Sequence, residues 1–169
     1  MRSNTSSAFR VGKLAKARQF HEKGKHDMES LNKIEAAGRN KTNYLKAKEA
    51  FNNKQVDECL LFYAPNHEVK SKQSEKGREG IRKFLEGLHQ TWEDIQITVE
   101  HAVAEDNWVM GRSVATATHT KAVLGVQPTH KKITATFWDL HLFDENGLII
   151  ETWNLMDNLA IMQQIGLLK

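Results

Sequence analysis

Apolar positions follow two periods along the chain, a helical one up to about residue 92 and an alternating one from residue 95 onward. Tyr44, Ala47 and Phe51 recur at the spacing of one helix face. After Asn52-Asn53, a turn signal, Val56, Cys59, Leu60 and Tyr63 mark a second short helix, which Pro65 is expected to stop. His67 to Lys72 reads as a first strand or an extended arm. Gly77-Arg78-Glu79-Gly80 then opens the clearest amphipathic helix, with Ile81, Phe84, Leu85, Leu88 and Trp92 on one face. Beyond it the period becomes two. Ile95, Ile97, Val99, His101 and Val103 alternate, as do Trp108, Met110, Arg112, Val114, Thr116 and Thr118. Turns are expected at Glu105-Asp106-Asn107, around Gly125-Val126-Gln127-Pro128, and at Asp144-Glu145-Asn146-Gly147, the last a strong hairpin signal. Antiparallel sheet should therefore run from Ile95 to Met156, with a final short helix after Asp157.

Helices first and long consecutive strands afterwards predict an α+β domain in which a curved antiparallel sheet wraps, cone-like, around helices on one side. The mouth of such a cone is a natural pocket of the kind ligands use. The domain is expected over residues 41–169. Residues 1–40 read as a basic extension, helical or flexible, because Arg2, Arg10, Lys13, Lys16 and Arg18 all precede the first acid, Glu22. Its serines and arginines also fit an organelle-targeting segment. Cytoplasm is the default compartment otherwise.

Composition removes several classes of function. No apolar run reaches the roughly 18 residues that a membrane span needs, which argues against a membrane protein. The single Cys59 permits no internal disulfide. The eight histidines form no HExxH or close ligand pair, so no metal is expected. Neither a phosphate-cradling glycine loop nor a nucleophile elbow is present, which sets aside kinase and serine-hydrolase readings. A net charge of +3 without stacking aromatics near the basic residues argues against a nucleic-acid partner.

The element order, the Gly-Arg-Glu-Gly-Ile helix start and the string FDENGLIIETWNLMDNLAIMQQIG together resemble the SnoaL-like polyketide cyclase, or ester cyclase, family of the nuclear-transport-factor-2-like superfamily, over about Thr42 to Leu168. Within the string, Glu151, Trp153 and Asp157 form an E-x-W-x-x-x-D arrangement, followed by Gln164-Ile165-Gly166. The resemblance implies a homodimer, an apolar or polyketide-like ligand, and cyclase or isomerase chemistry by a carboxylate acid/base without a cofactor. One departure is notable. The family's hairpin commonly carries an Arg before its turn and a Lys after its Gly, where this chain has His141 or Leu142 and Leu148.

Three residues are candidates for the chemistry. Asp157 matches the last acid of the string, although an Asp just before a helix also serves as an N-cap. Asp139 sits in the apolar strand Phe137 to Phe143, eight residues before Gly147, where the related ketosteroid isomerases place a cavity acid; a salt bridge with Arg112 would account for it equally. The isomerase's catalytic base would fall near Ser71, which cannot abstract a proton. His141, two residues from Asp139 on the same strand face, could move a proton or orient a carboxylate. Expected ligand contacts are Arg112, Trp138, Glu151, Trp153, Asn154 and Tyr44. Alternatives are a binding or scaffold protein that has lost the chemistry, and epoxide opening by Asp139 and Asp157 bridged by Arg112. All of these depend on which residues share one face.

Overall fold

The computed structural model describes the backbone of residues 5–71 and 75–168, with side chains from residue 22 onward within those ranges. The chain divides into two compact units, Met1–Glu35 and Ala36–Lys169. One helix, α1 (Thr5–Asn52), contributes to both. Gly24 and Gly38 both lie within this helix. In the first unit Met28 and Leu31 are exposed, as is Ile34. The basic side chains from Arg2 to Arg18 lie outside the described ones.

The second unit continues with α2 (Val56–Leu60), β1 (Tyr63–Val69), α3 (Gly77–Thr91), β2 (Gln96–Glu105), β3 (Trp108–Thr118), β4 (Lys132–Phe143), β5 (Ile149–Met156) and α4 (Asn158–Ile165). The fold is α+β, with one curled five-stranded sheet in the order β1-β5-β4-β3-β2. Every pairing is antiparallel except β1 with β5, which is parallel. β1 begins earlier than the sequence suggests and includes Pro65. Its place at the sheet edge explains this, since a residue without an N–H is tolerated there.

Strand parity sets what faces inward. Along β4 the odd residues Ile133, Ala135, Phe137, Asp139, His141 and Phe143 are buried, while the even ones are half-buried or exposed. β2 departs from simple alternation. A register shift between Val99 and His101 changes its phase, so Ile97 and Val99 pack on the core, then Ala102 and Ala104, leaving Val103 exposed. A bulge of this kind adds one residue and bends the strand. The β4–β5 turn is held by Asp144, whose carboxylate accepts from the backbone N–H groups of Asn146 and Leu148 at 2.9 and 2.8 Å. Gly147 adopts φ 79°, a left-handed conformation that favours glycine. The core joins Tyr44, Ala47 and Phe51 of α1 to Ile81 and Leu85 of α3 and to Val109, Phe143 and Ile149 of the sheet. The sequence pattern had assigned all these α1 and α3 residues to inward faces.

Candidate functional site

A cavity of about 100 Å³ lies between the inner sheet face and the helices. Phe51, Ile81, Leu85, Leu88, Ile97 and Phe137 make most of its wall apolar; Lys48, Asp139, His141, Thr152 and Asn154 bring polar groups to it. The helix stripe brings Tyr44 and Lys48 to this face, four residues apart on α1. Both reach Asp139. The Tyr44 hydroxyl donates to Asp139 Oδ1 at 2.8 Å, and the Lys48 ammonium donates to Oδ2 in a close ion pair.

This approach depends on Gly111, paired with Asp139 across β3 and β4. A Cβ at position 111 would overlap the Tyr44 hydroxyl and lie 3.1 Å from Asp139 Oδ1. The glycine is thus required by close approach, without any unusual φ.

Ionisation follows from the surroundings. Burial pushes the Asp139 pKa upward, but the charge of Lys48 and the neighbouring His141 outweigh it and hold the carboxyl well below the usual range. Burial lowers the Lys48 pKa in turn, and Asp139 more than reverses this, so the amine stays charged. Burial is also the main cause that raises the Tyr44 phenol to about 12, which keeps it a neutral donor. Near neutral pH the centre is a carboxylate held by one cation and one phenol. An ionised carboxylate has about four acceptor positions, so Asp139 retains capacity for a ligand.

His141 adds a second line of polar groups. Its Nε2 lies 3.3 Å from Asp139 Oδ2. The alignment is poor, and Nε2 is a buried atom without a hydrogen-bond partner. Its Nδ1 lies 2.8 Å from the Thr152 hydroxyl, which is also 2.8 Å from His67 Nε2. Burial lowers the pKa of both rings, that of His67 to about 4 with a contribution from His141, and the His141 shift is opposed by Asp139.

The other anticipated site residues are placed elsewhere. Asp157 is exposed, and its Oδ1 accepts from Ala160 N at 2.9 Å as the N-cap of α4; it is not among the residues that line the cavity. Arg112 projects from the opposite sheet face, where it pairs closely with Glu100 and lies 5.8 Å from the Trp138 ring. The cation beside Asp139 is Lys48, which corrects the anticipated Arg112 pair. Trp138 shares that outer face, and Trp153 lies there with its ring 5.6 Å from Trp108. Glu151 is 3.5 Å from Lys70. Asn154, opposite Asp139 in the β4–β5 register, does line the cavity. Asp139, Arg112 and Asp157 therefore do not converge as epoxide opening would need.

Three participants escaped the sequence reading. Lys48 was legible in principle, as a charged residue four positions after Tyr44 in an apolar stripe. Thr152 is the unspecified position between Glu151 and Trp153, and strand parity turns it inward while its two neighbours turn out. His67 stood in an expected strand whose partner was unknown.

A family model, the SnoaL-like polyketide cyclase, matches residues 41–165. The chain belongs to that family. Among solved structures the SnoaL-like fold is similar to that of AclR, a proposed hydroxylase from Streptomyces galilaeus (TM-score 0.71, 24% identity, covering 79% of this chain and 88% of that one). It is also similar to IdmH, a proposed polyketide cyclase from Streptomyces antibioticus (TM-score 0.68, 24% identity, 75% and 98% covered). A SnoaL-like polyketide cyclase from Agrobacterium tumefaciens gives a TM-score of 0.64 at 20% identity, with 73% and 95% covered. No curated protein matches the sequence. Among the described residues of this SnoaL-like chain, no three His, Cys, Asp or Glu side chains converge as metal ligands do, and no helix is long and apolar enough to cross a membrane.

Proposed function

We propose that this protein is a cofactor-independent cyclase or isomerase that acts on a small polyketide-like carbonyl compound, with Asp139 as the carboxylate that moves the proton. The observation that carries this reading is the Lys48–Asp139 pair in the wall of a largely apolar cavity, with Tyr44 bonded to Asp139 from behind that wall. A carboxylate held this low is a weak base in isolation. Transfer becomes workable because removing a proton from the carbon beside a carbonyl neutralises Asp139 and places the negative charge on the enolate oxygen. Lys48 then exchanges one anionic partner for another within its reach. An ammonium already aimed at the site stabilises such charge without reorganisation. The Tyr44 hydroxyl holds the carboxylate in place while the pair changes charge.

The test is hydrogen–deuterium exchange at the α-carbon of a panel of β-keto esters, followed by NMR. Asp139→Asn should lose at least the ~100-fold typical of a positioned acid/base, whereas Asp157→Asn should stay close to the parent. Exchange that survives in Asp139→Asn would discard the assignment.

A second reading has its own support. The ion pair satisfies Asp139 fully enough to serve as a fixed polar wall, and the cavity is smaller than the roughly 300–1,000 Å³ of most ligand sites. A binding protein without turnover would carry such a wall, and native mass spectrometry would then find a retained small molecule. In either reading we take the protein to be a homodimer through its outer sheet face. Met110, Trp138 and Leu155 are exposed there on a single chain, and symmetric pairing is the usual way to cover such a surface.

A further inference from the structure

The geometry points to His67 as a positioning residue: through the Thr152 hydroxyl it holds the His141 proton on Nε2, the nitrogen that faces Asp139. His67 comes from β1, Thr152 from β5 and His141 from β4, three adjacent strands of the sheet. The two flanking histidines, each almost fully buried, meet on one hydroxyl of the strand between them, at 2.8 Å on either side.

A hydroxyl has one proton to give and lone pairs to accept with. Its proton can serve only one ring, so at least one ring must donate to it. Two directions also use the hydroxyl proton; a third, in which both rings donate, shares with the second of these a bare His141 Nε2. In one, His67 Nε2–H donates to Thr152, and Thr152 donates to a bare His141 Nδ1, so the His141 proton sits on Nε2. In the other, His141 Nδ1–H donates to Thr152 and Nε2 is bare.

Asp139 decides between them. In the second direction a neutral His141 would turn an Nε2 lone pair toward the Asp139 Oδ2 anion 3.3 Å away, in a buried setting that screens little. The other groups around the ring do not offset this. Lys48 is engaged with the same Oδ2, the Tyr44 ring lies 5.4 Å away, and Phe143 is apolar at 6.5 Å. The first direction places an N–H toward the carboxylate and aims the Thr152 O–H, rather than a lone pair, at Nδ1. His67 therefore completes the chain by occupying the acceptor side of Thr152. Its ring is itself held by an edge-on contact with Tyr63 at 5.0 Å.

The consequence for function rests on the Asp139 reading, since it is that carboxylate which His141 supports. The test does not, because it reads the resting protein without substrate. Long-range proton–nitrogen NMR spectra of the ¹⁵N-histidine-labelled full chain near neutral pH should show both His67 and His141 as single Nε2–H tautomers. A His141 proton on Nδ1, or a His67 proton only on Nδ1, overturns the proposal in the wild-type chain alone. His67→Leu should convert His141 to a mixture of tautomers, its two nitrogen shifts moving toward each other. His67→Gln, whose amide can donate to Thr152, should restore the single form. A His141 that keeps its pure Nε2–H form in a folded His67→Leu variant overturns it as well. Were that variant not to fold, the wild-type tautomers and His67→Gln would still decide the matter.

Discussion

The two faces of the β3–β4 pair are built from the same strands, one residue apart, and they treat charge in opposite ways. Inside, Asp139 is almost fully buried and held by Lys48 and Tyr44. Outside, Arg112 pairs with Glu100 while both remain more than a third exposed, beside exposed Met110 and Trp138. The inner face carries a costly ion in a buried wall, and the outer face carries a cheap one among exposed apolar groups. Residue type alone does not distinguish a site from a surface. What distinguishes them here is whether water can replace the partner.

The widest gap between the faces should appear when each loses its cation. Lys48→Met strands a buried carboxylate, a change that costs about 3–5 kcal/mol, whereas Arg112→Met should cost no more than about 1 kcal/mol. Urea denaturation of the two variants measures the difference, and equal losses would erase the distinction between the faces.

Acid should act next, again from inside. The His67 pKa is lowered in the folded chain to about 4, and that of His141 is lowered too. A depressed histidine pKa means that the unfolded chain binds more protons between the two values, so stability rises with pH across that range. Stability should be full above the ordinary histidine value near 6.5 and fall as the pH drops toward 4, by about 3 kcal/mol for His67 if the whole shift is realised. Thermal melts from pH 7 to 4 should show this fall, and His67→Gln should flatten it. A parallel curve for that variant would place the acid sensitivity elsewhere.

The smallest effect on stability belongs to the outer face. Trp138→Lys should leave the melting temperature of a dilute sample nearly unchanged, yet shift sedimentation at micromolar concentration from a dimer toward the 19.3 kDa chain. A parent protein that sediments as a monomer would remove dimerisation from the comparison.

Much of this contrast was readable in the sequence, for a definite reason. Alternation along Phe137 to Phe143 has a fixed period of two, so the sequence alone puts Asp139 and His141 on one face. Parity within one strand does not give the register between strands, so Arg112 on β3 could not be placed relative to Asp139, whereas Trp138, the next residue to Asp139, is put on the opposite face by parity itself. Period-two reasoning also fails at a bulge, which is why His101 and Val103 were grouped with Ile97 and Val99. Asp157 illustrates a different limit, because the residue pattern of a helix cap and that of a catalytic acid before a helix are identical. Only the 2.9 Å bond to Ala160 N shows the cap in place. The partners of Asp139 were hardest to see. Lys48 lies 91 positions from Asp139, and no local period connects a helix to a strand across that interval.

Gly111 gives the inner face a vulnerability of an unusual kind. The residue has no side chain to give a proton or a charge, and a catalogue of functional groups would pass over it. Yet the space it leaves is where the Tyr44 hydroxyl sits against Asp139. One methyl added there would act as a wedge, moving the phenol off the carboxylate while every named chemical group stayed in the chain. A homologue could therefore keep Tyr44, Lys48, Asp139 and His141 and still lack this centre, so inheritance of the site has to be judged by the gap as well as by the groups around it.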